Sequence, residues 1–152
     1  MRPKQELHNV IRRRQLGFTL VELMFAVGIV GVLTAIALPS YTENVRQSRR
    51  TAAKTTLVEA AQWMERFRAE NNAVYTGAAL PAGMSASPSS GTPFYDVTLS
   101  DLAAGTYQLN ATPRAGGPMA ADVCGVLTVA NDGRRTAAGA STGSVFDRCW
   151  NR

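Results

Sequence analysis

A single carboxylate, Glu22, stands inside the most apolar stretch of the chain. The run from Phe18 to Leu38 has 21 residues, and Glu22 is its one charged side chain. As a helix the run would be roughly 32 Å long, enough to cross a hydrocarbon core of about 30 Å. A buried charge there normally has a partner because it costs up to a few kcal/mol. We therefore expect Glu22 to pair with a cation, or else to lie at the membrane surface in water.

Three consecutive arginines, Arg12–Arg14, precede the apolar run. Because Lys and Arg accumulate on the cytoplasmic side of membrane helices, they predict a cytoplasmic N-terminus and translocation of the residues after Pro39. A secretory signal peptide is an alternative, but it has a shorter apolar core and a small-residue cleavage site, unlike Leu38–Pro39–Ser40–Tyr41. A plain single-pass anchor is another alternative, and it leaves Glu22 without a role.

Both cysteines of the chain, Cys124 and Cys149, lie in the segment predicted to be translocated. An even pair in an oxidising compartment predicts a disulfide bond, with two buried free thiols as the alternative. Their spacing excludes a CxxC metal or redox site. The bond would stabilise the fold by about 3.5 kcal/mol on the chain-entropy model.

The residues at the start of the apolar run resemble a processing signal. Gly17–Phe18–Thr19–Leu20–Val21–Glu22, after basic residues and before the long apolar run, resembles the class III leader of a type IV prepilin, and Ala37–Tyr41 is also similar to that family. The resemblance implies that a membrane peptidase cuts between Gly17 and Phe18 and methylates the new N-terminal Phe18. A glycine before the cut suits extended binding in a protease site.

The same resemblance implies two assembly residues, Glu22 and Pro39. Glu22 would meet the Phe18 amine of a neighbouring subunit and fix the axial register of the filament, because a charge in apolar surroundings is tolerated only when paired. Pro39 would remove one backbone hydrogen bond and kink the helix without ending it.

Removal of residues 1–17 would leave 11 basic and 10 acidic residues, so the net charge would fall from +5 to +1. His8, the one histidine, would leave as well. The remaining chain would then lack any Ser-His-Asp or Cys-His catalytic site and any His-ligated metal. We expect no enzyme activity, no metal and no cofactor, against the alternative of a membrane-tethered enzyme.

Helix formers dominate from Ser40 to about Glu70. Apolar residues there recur in steps of four, three, four and three, which predicts an amphipathic helix. This stripe consists of Ala53, Leu57, Ala60, Met64 and Phe67. A basic group lies before and beside it, and consists of Arg46, Arg49, Arg50 and Lys54. We interpret this group as a solvated face, with a subunit contact and a DNA contact as alternatives.

Strand patterns follow an irregular connector at residues 73–93. Alternation and turn residues predict four strands, near residues 95–100, 107–112, 125–130 and 134–137. Residues 138–152 are predicted to be a loop held by Cys149, with Trp150 covering the disulfide or the sheet edge. The fold class is therefore α+β: a long N-terminal helix, membrane-spanning in its first half, packed on a four-stranded antiparallel sheet as in type IV pilins.

Three parts of the chain are expected: a leader at residues 1–17 that is removed, a transmembrane and assembly half-helix at 18–39, and a periplasmic or extracellular globular domain at 40–152. The resemblance implies a structural subunit of a type IV pilus, held in the inner membrane before assembly and extracellular afterwards. Its implied partners are itself and other pilins, the prepilin peptidase and the pilus assembly machinery. Adhesion, twitching motility and DNA uptake are all compatible with it.

Two related functions stay open. A type II secretion pseudopilin would share the leader and helix, although the cysteine pair favours a pilin. A DNA-binding competence minor pilin would use a basic patch near the disulfide loop, with DNA as a further partner. The candidate residues for that patch are Arg114, Arg134, Arg135, Arg148 and Arg152.

Overall fold

The structure is a computed structural model that describes residues 17–151. The predictions for the leader up to residue 16, including Arg12–Arg14 and His8, and for Arg152 lie outside these residues. The chain divides into two compact units, Met1–Pro39 and Ser40–Arg152. Helix α1 contributes to both units, and all the strands belong to the second.

Helix α1 spans Leu20–Glu70, 51 residues, and Pro39 lies inside it. The prediction that Pro39 does not end the helix is therefore confirmed. The predicted stop just after Glu70 is also confirmed: Asn72 and Ala73 have positive φ angles of 54° and 63°. The N–H of Ala73 donates to the carbonyl of Arg68 at 3.0 Å, which satisfies one of the free carbonyls at the helix end.

The sheet has five antiparallel strands in the order β1-β2-β3-β4-β5, so the prediction of four strands is wrong. The strands are β1 Ala86–Ser87, β2 Tyr95–Ser100, β3 Gln108–Pro113, β4 Leu127–Ala130 and β5 Arg135–Ala137. The unpredicted strand is β1, which pairs Ala86 with Asp96 and Ser87 with Tyr95. Two residues are too few to show alternation, and they lie in a Ser- and Pro-rich connector that also contains a short 3₁₀ helix, Ala82–Met84.

The C-terminal segment contains a second helix, α2, at Ser144–Trp150, where the sequence predicted a loop. The helix is only seven residues long, so periodicity carried little signal. Its last residue, Trp150, donates from Nε1 to the carbonyl of Thr136 on β5 at 2.9 Å. The prediction that Trp150 covers the sheet edge is confirmed.

The core lies between the second half of α1 and the sheet. Ala53, Leu57, Ala60 and Met64 are fully buried and Phe67 packs at the margin, which confirms the predicted stripe. The sheet contributes residues such as Leu109. Burial of this apolar surface is the main stabilising contribution to the fold.

The disulfide between Cys124 and Cys149 is present, with a Cα–Cα distance of 5.7 Å and a sequence separation of 25. Both sulfur-bearing residues are buried in the same core. The bond attaches α2 to the segment that precedes β4.

Candidate functional site

The residues of the predicted processing site lie before α1 and are exposed. Residues 17–19 have no regular secondary structure, and Phe18 is 84% exposed. A protease binds its substrate in an extended conformation, so a short non-helical segment is accessible in the way that cleavage requires. The structure thus places Gly17 and Phe18 side by side, outside the helix.

Glu22 lies in the first turn of α1, and Thr19 caps that turn. The N–H of Glu22 donates to Thr19 Oγ1 at 3.2 Å, and the N–H of Leu23 donates to the Thr19 carbonyl at 3.1 Å. A threonine followed three residues later by a glutamate is the sequence pattern of a helix N-terminus, so Thr19 could have been found from the sequence. The helix dipole favours a carboxylate at this end.

The side chain of Glu22 is exposed and has no ion pair or hydrogen bond of its own within residues 17–151. The apolar residues that follow are exposed as well. One helix in the described chain is long and apolar enough to cross a membrane, with a mean hydropathy of 2.3 in a window of which 0% is buried.

Arg50 is buried, which contradicts its interpretation as part of a solvated face. It is 2% exposed, and its Nε donates to Asp122 Oδ2 at 2.9 Å while Nη2 donates to Oδ1 of the same carboxylate. Its Nη1 donates to Glu43 Oε1 at 2.8 Å, at a carboxylate that is 51% exposed. The hydrogen bond with Asp122 raises the pKa of Arg50 above its usual value, burial opposes this, and Glu43 adds to the increase. The sequence missed Asp122, which is 72 residues away.

Asp122 belongs to the turn that leads into the disulfide. Its N–H donates to the carbonyl of Met119 at 3.0 Å, and its carbonyl accepts from the N–H of Gly125 at 3.0 Å. The ion pair therefore joins α1 to the segment that carries Cys124. Removing one partner of such a pair is costly because the other charge stays buried without compensation.

Two of the arginines predicted to form a basic patch have carboxylate partners, and Arg152 lies outside the described residues. Arg114 donates from Nε to Asp96 Oδ1 at 2.8 Å, and Arg134 lies 4.0 Å from Asp132. Both are thereby partly neutralised. Arg135 and Arg148 have no ion pair within residues 17–151.

Arg135 and Arg148 instead lie beside α1, together with Lys54. Arg148 lines a concavity with Glu43, Gln47 and Arg50. Arg135, stacked over Trp150 at 5.3 Å, lines a second concavity that includes Lys54. Burial lowers the pKa of Lys54, and the charges of Arg50 and Arg135 lower it further. The sequence did not indicate that Lys54 belongs with the C-terminal arginines.

Two family models match successive parts of the chain. A model described as "Prokaryotic N-terminal methylation motif" matches residues 12–38. A model described as "Type IV minor pilin ComP, DNA uptake sequence receptor" matches residues 39–128. The first match contains Gly17, Phe18 and Glu22, and the second contains Arg50 and Asp122.

Individual proteins are similar over shorter stretches. Fimbrial protein Q of Moraxella bovis is 47% identical over 53 residues, which are 31% of this chain and 34% of that protein. The type II secretion system core protein G of Pseudomonas aeruginosa is 36% identical over 60 residues, 40% of this chain and 42% of that protein. The chain thus spans about a third of the length of the first relative. A solved type IV pilin from Shewanella oneidensis is 25% identical, with a TM-score of 0.47 over 64% of this chain and 98% of that one.

Arg50→Ala is expected to lower the free energy of unfolding by about 3–5 kcal/mol, because it leaves Asp122 buried without a cation. Arg46→Ala is the matched control on the same helix, since Arg46 has no ion pair within residues 17–151, and it should change stability by no more than about 0.5 kcal/mol. Urea unfolding of the full chain in detergent, followed by circular dichroism, measures both. The double variant Arg50→Met with Asp122→Leu should recover most of the loss. Equal stability of the Arg50 and Arg46 variants would show that the ion pair does not hold the turn.

Proposed function

This chain belongs to the family of type IV minor pilins described as ComP, and we propose that it is a pilus subunit cut between Gly17 and Phe18. The main support for the proposal is that the two family matches are contiguous. The match to the methylation motif ends at residue 38, and the match to the pilin domain begins at residue 39. Helix α1 runs through this join without a break. A structural subunit has no reaction to catalyse, and we assign the chain no enzyme activity.

Processing and topology follow from the same segment. We propose that the prepilin peptidase removes residues 1–17 at the cytoplasmic face and methylates Phe18. The chain would then wait as a single-pass protein in the inner membrane, with its globular domain in the periplasm. The exposure of residues 17–19 supports access by the peptidase. Delivery into an extracellular filament by the assembly machinery would follow.

The apolar side chains in the first half of α1 must be shielded from water before and after assembly. Large apolar side chains such as Phe25 and Leu33 are exposed, and water is an unfavourable environment for them. Lipid covers them before assembly, and the helices of other subunits cover them in the filament. Glu22 is proposed to pair with the Phe18 amine of a neighbour, and Pro39 to allow a change of helix direction on assembly.

Gly17→Val is expected to block processing, because a side chain before the cut would prevent the close approach of the backbone that glycine allows in a protease site. Mass spectrometry of filaments sheared from the cell surface and of the membrane fraction measures the N-terminal peptide. The wild-type chain should begin at methylated Phe18, whereas the variant should keep residues 1–17 and remain in the membrane. A variant cut normally would disprove the cleavage assignment.

Glu22→Gln is expected to leave insertion and cleavage intact and to lower the yield of filaments by at least about tenfold, because one charge of a desolvated pair is lost. Glu59→Gln is the control, since Glu59 is an exposed carboxylate on α1 outside the apolar run. The amount of sheared filament per cell is the readout. A wild-type yield from the Glu22 variant would mean that this carboxylate lies only at the membrane surface.

A second function, DNA contact, is favoured by the family description of residues 39–128 as a DNA uptake sequence receptor. The same match favours a pilin over a secretion pseudopilin, although core protein G is similar over the N-terminal segment. We propose DNA uptake as the role that this subunit serves, ahead of adhesion and twitching motility. Retardation of a labelled duplex by the full chain in detergent tests it, and binding should weaken as salt rises. No binding at 50 mM salt would reject the DNA role and leave the pilus role standing.

A further inference from the structure

Two concavities follow one another along α1, on the side where the C-terminal segment lies. The first is lined by Glu43, Gln47, Arg50 and Arg148 and has a volume of about 370 Å³. The second has a volume of about 490 Å³, and its lining includes Lys54, Gln62, Arg135 and Trp150. We call the two together the α1 groove. Its α1 residues from Gln47 to Gln62 extend over roughly 22 Å, the span of about six phosphates on one DNA strand.

The charges of the α1 groove are mainly positive. Arg135 and Arg148 are exposed and form no ion pair within residues 17–151, and Lys54 lines the second concavity together with Arg135. Two acids line the groove as well. Glu43 is engaged by Arg50, and Glu59 lies at the second concavity. Since Arg50 is already paired with Asp122, the three cations Lys54, Arg135 and Arg148 stand against the two carboxylates, and an anion would meet a small excess of positive charge.

Uncharged donors accompany these cations. The side-chain amides of Gln47 and Gln62 have no hydrogen-bond partner within the described chain, so their N–H groups are available. Amides and guanidinium groups are the side chains that commonly contact phosphate oxygens. Thr51 and Thr55 also line the groove, but their hydroxyls already donate to helix carbonyls at 3.0 and 3.1 Å.

The groove has no platform on which a base could stack. Its one aromatic residue, Trp150, is 9% exposed, and the guanidinium of Arg135 lies over its ring. Proteins that bind single strands use exposed aromatic side chains for stacking. The lining thus fits a sugar–phosphate backbone whose bases are already paired.

We propose that the α1 groove binds the phosphate backbone of double-stranded DNA, without reading its sequence, through Arg135, Arg148 and Lys54. This inference rests on the DNA-binding function proposed above and assigns the residues that supply its electrostatic component. Phosphate contacts fix the position of a protein on a duplex but carry no sequence information. Any preference for a particular sequence must come from residues outside the groove.

The test measures binding of a fluorescent duplex by the full chain in detergent at several salt concentrations. Arg135→Gln and Arg148→Gln should each weaken binding equally for duplexes of unrelated sequence. Each should also reduce the slope of log affinity against log salt by about 1. Arg114→Gln is the matched control, because its guanidinium is already paired with Asp96, and it should leave both quantities unchanged. Arg135→Lys keeps the charge and should restore the slope, which separates loss of charge from loss of folding.

The outcomes separate the two proposals. If the wild-type chain binds no duplex, both the DNA-binding function and the assignment of the α1 groove are rejected. If it binds and the Arg135 and Arg148 variants match the Arg114 variant, the DNA function stands and the groove assignment is overturned. Tighter binding of single strands than of duplexes would overturn the choice of ligand. A loss that differs between sequences would overturn the assignment to the backbone.

Discussion

The buried ion pair between Arg50 and Asp122 positions the C-terminal part of the chain against α1. Arg50 lies on α1, and Asp122 lies in the turn before β4. Each would be costly alone in the core, and each is tolerated because the other is present. Arg50 also reaches Glu43 at the surface, so its guanidinium connects the core to the surface. Cys124 follows Asp122 by two residues, and its disulfide bond attaches α2 to this part of the chain. The positions of Trp150 and of Arg148 in the α1 groove depend on that attachment.

Helix α1 has a different role in each half of its length. In the first half an apolar surface is left uncovered, and Thr19 and Glu22 define where the helix begins. In the second half one stripe is buried against the sheet. The face beside that stripe carries Lys54 and the two free glutamine amides. The family to which the chain belongs explains the first role, and the charges of the groove indicate a use for the second.

Local sequence patterns predicted much of this structure. The stripe from Ala53 to Phe67 and the stop after Glu70 depend on residues a few positions apart, and periodicity shows them directly. Strands β2 to β5 were recognisable by alternation and turns. Strand β1 has two residues and α2 has seven, and such short elements are determined by their neighbours in space. Arg50 was misjudged for the same reason, because its partner is distant in sequence and nothing beside Arg50 identifies it.

The disulfide would have a mechanical consequence in the filament subunit proposed above. The Arg50–Asp122 contact joins α1 to the turn that carries Cys124, so this turn would bear part of a pulling force on α1. The two cysteines are 25 positions apart, so the 24 residues between them lie within a closed covalent loop. Their contour, roughly 85 Å if fully extended, cannot be drawn out by any force that leaves the sulfur–sulfur bond intact. Under load the subunit would therefore lengthen little at its C-terminal end, and it could regain its folded dimensions when the tension ceased.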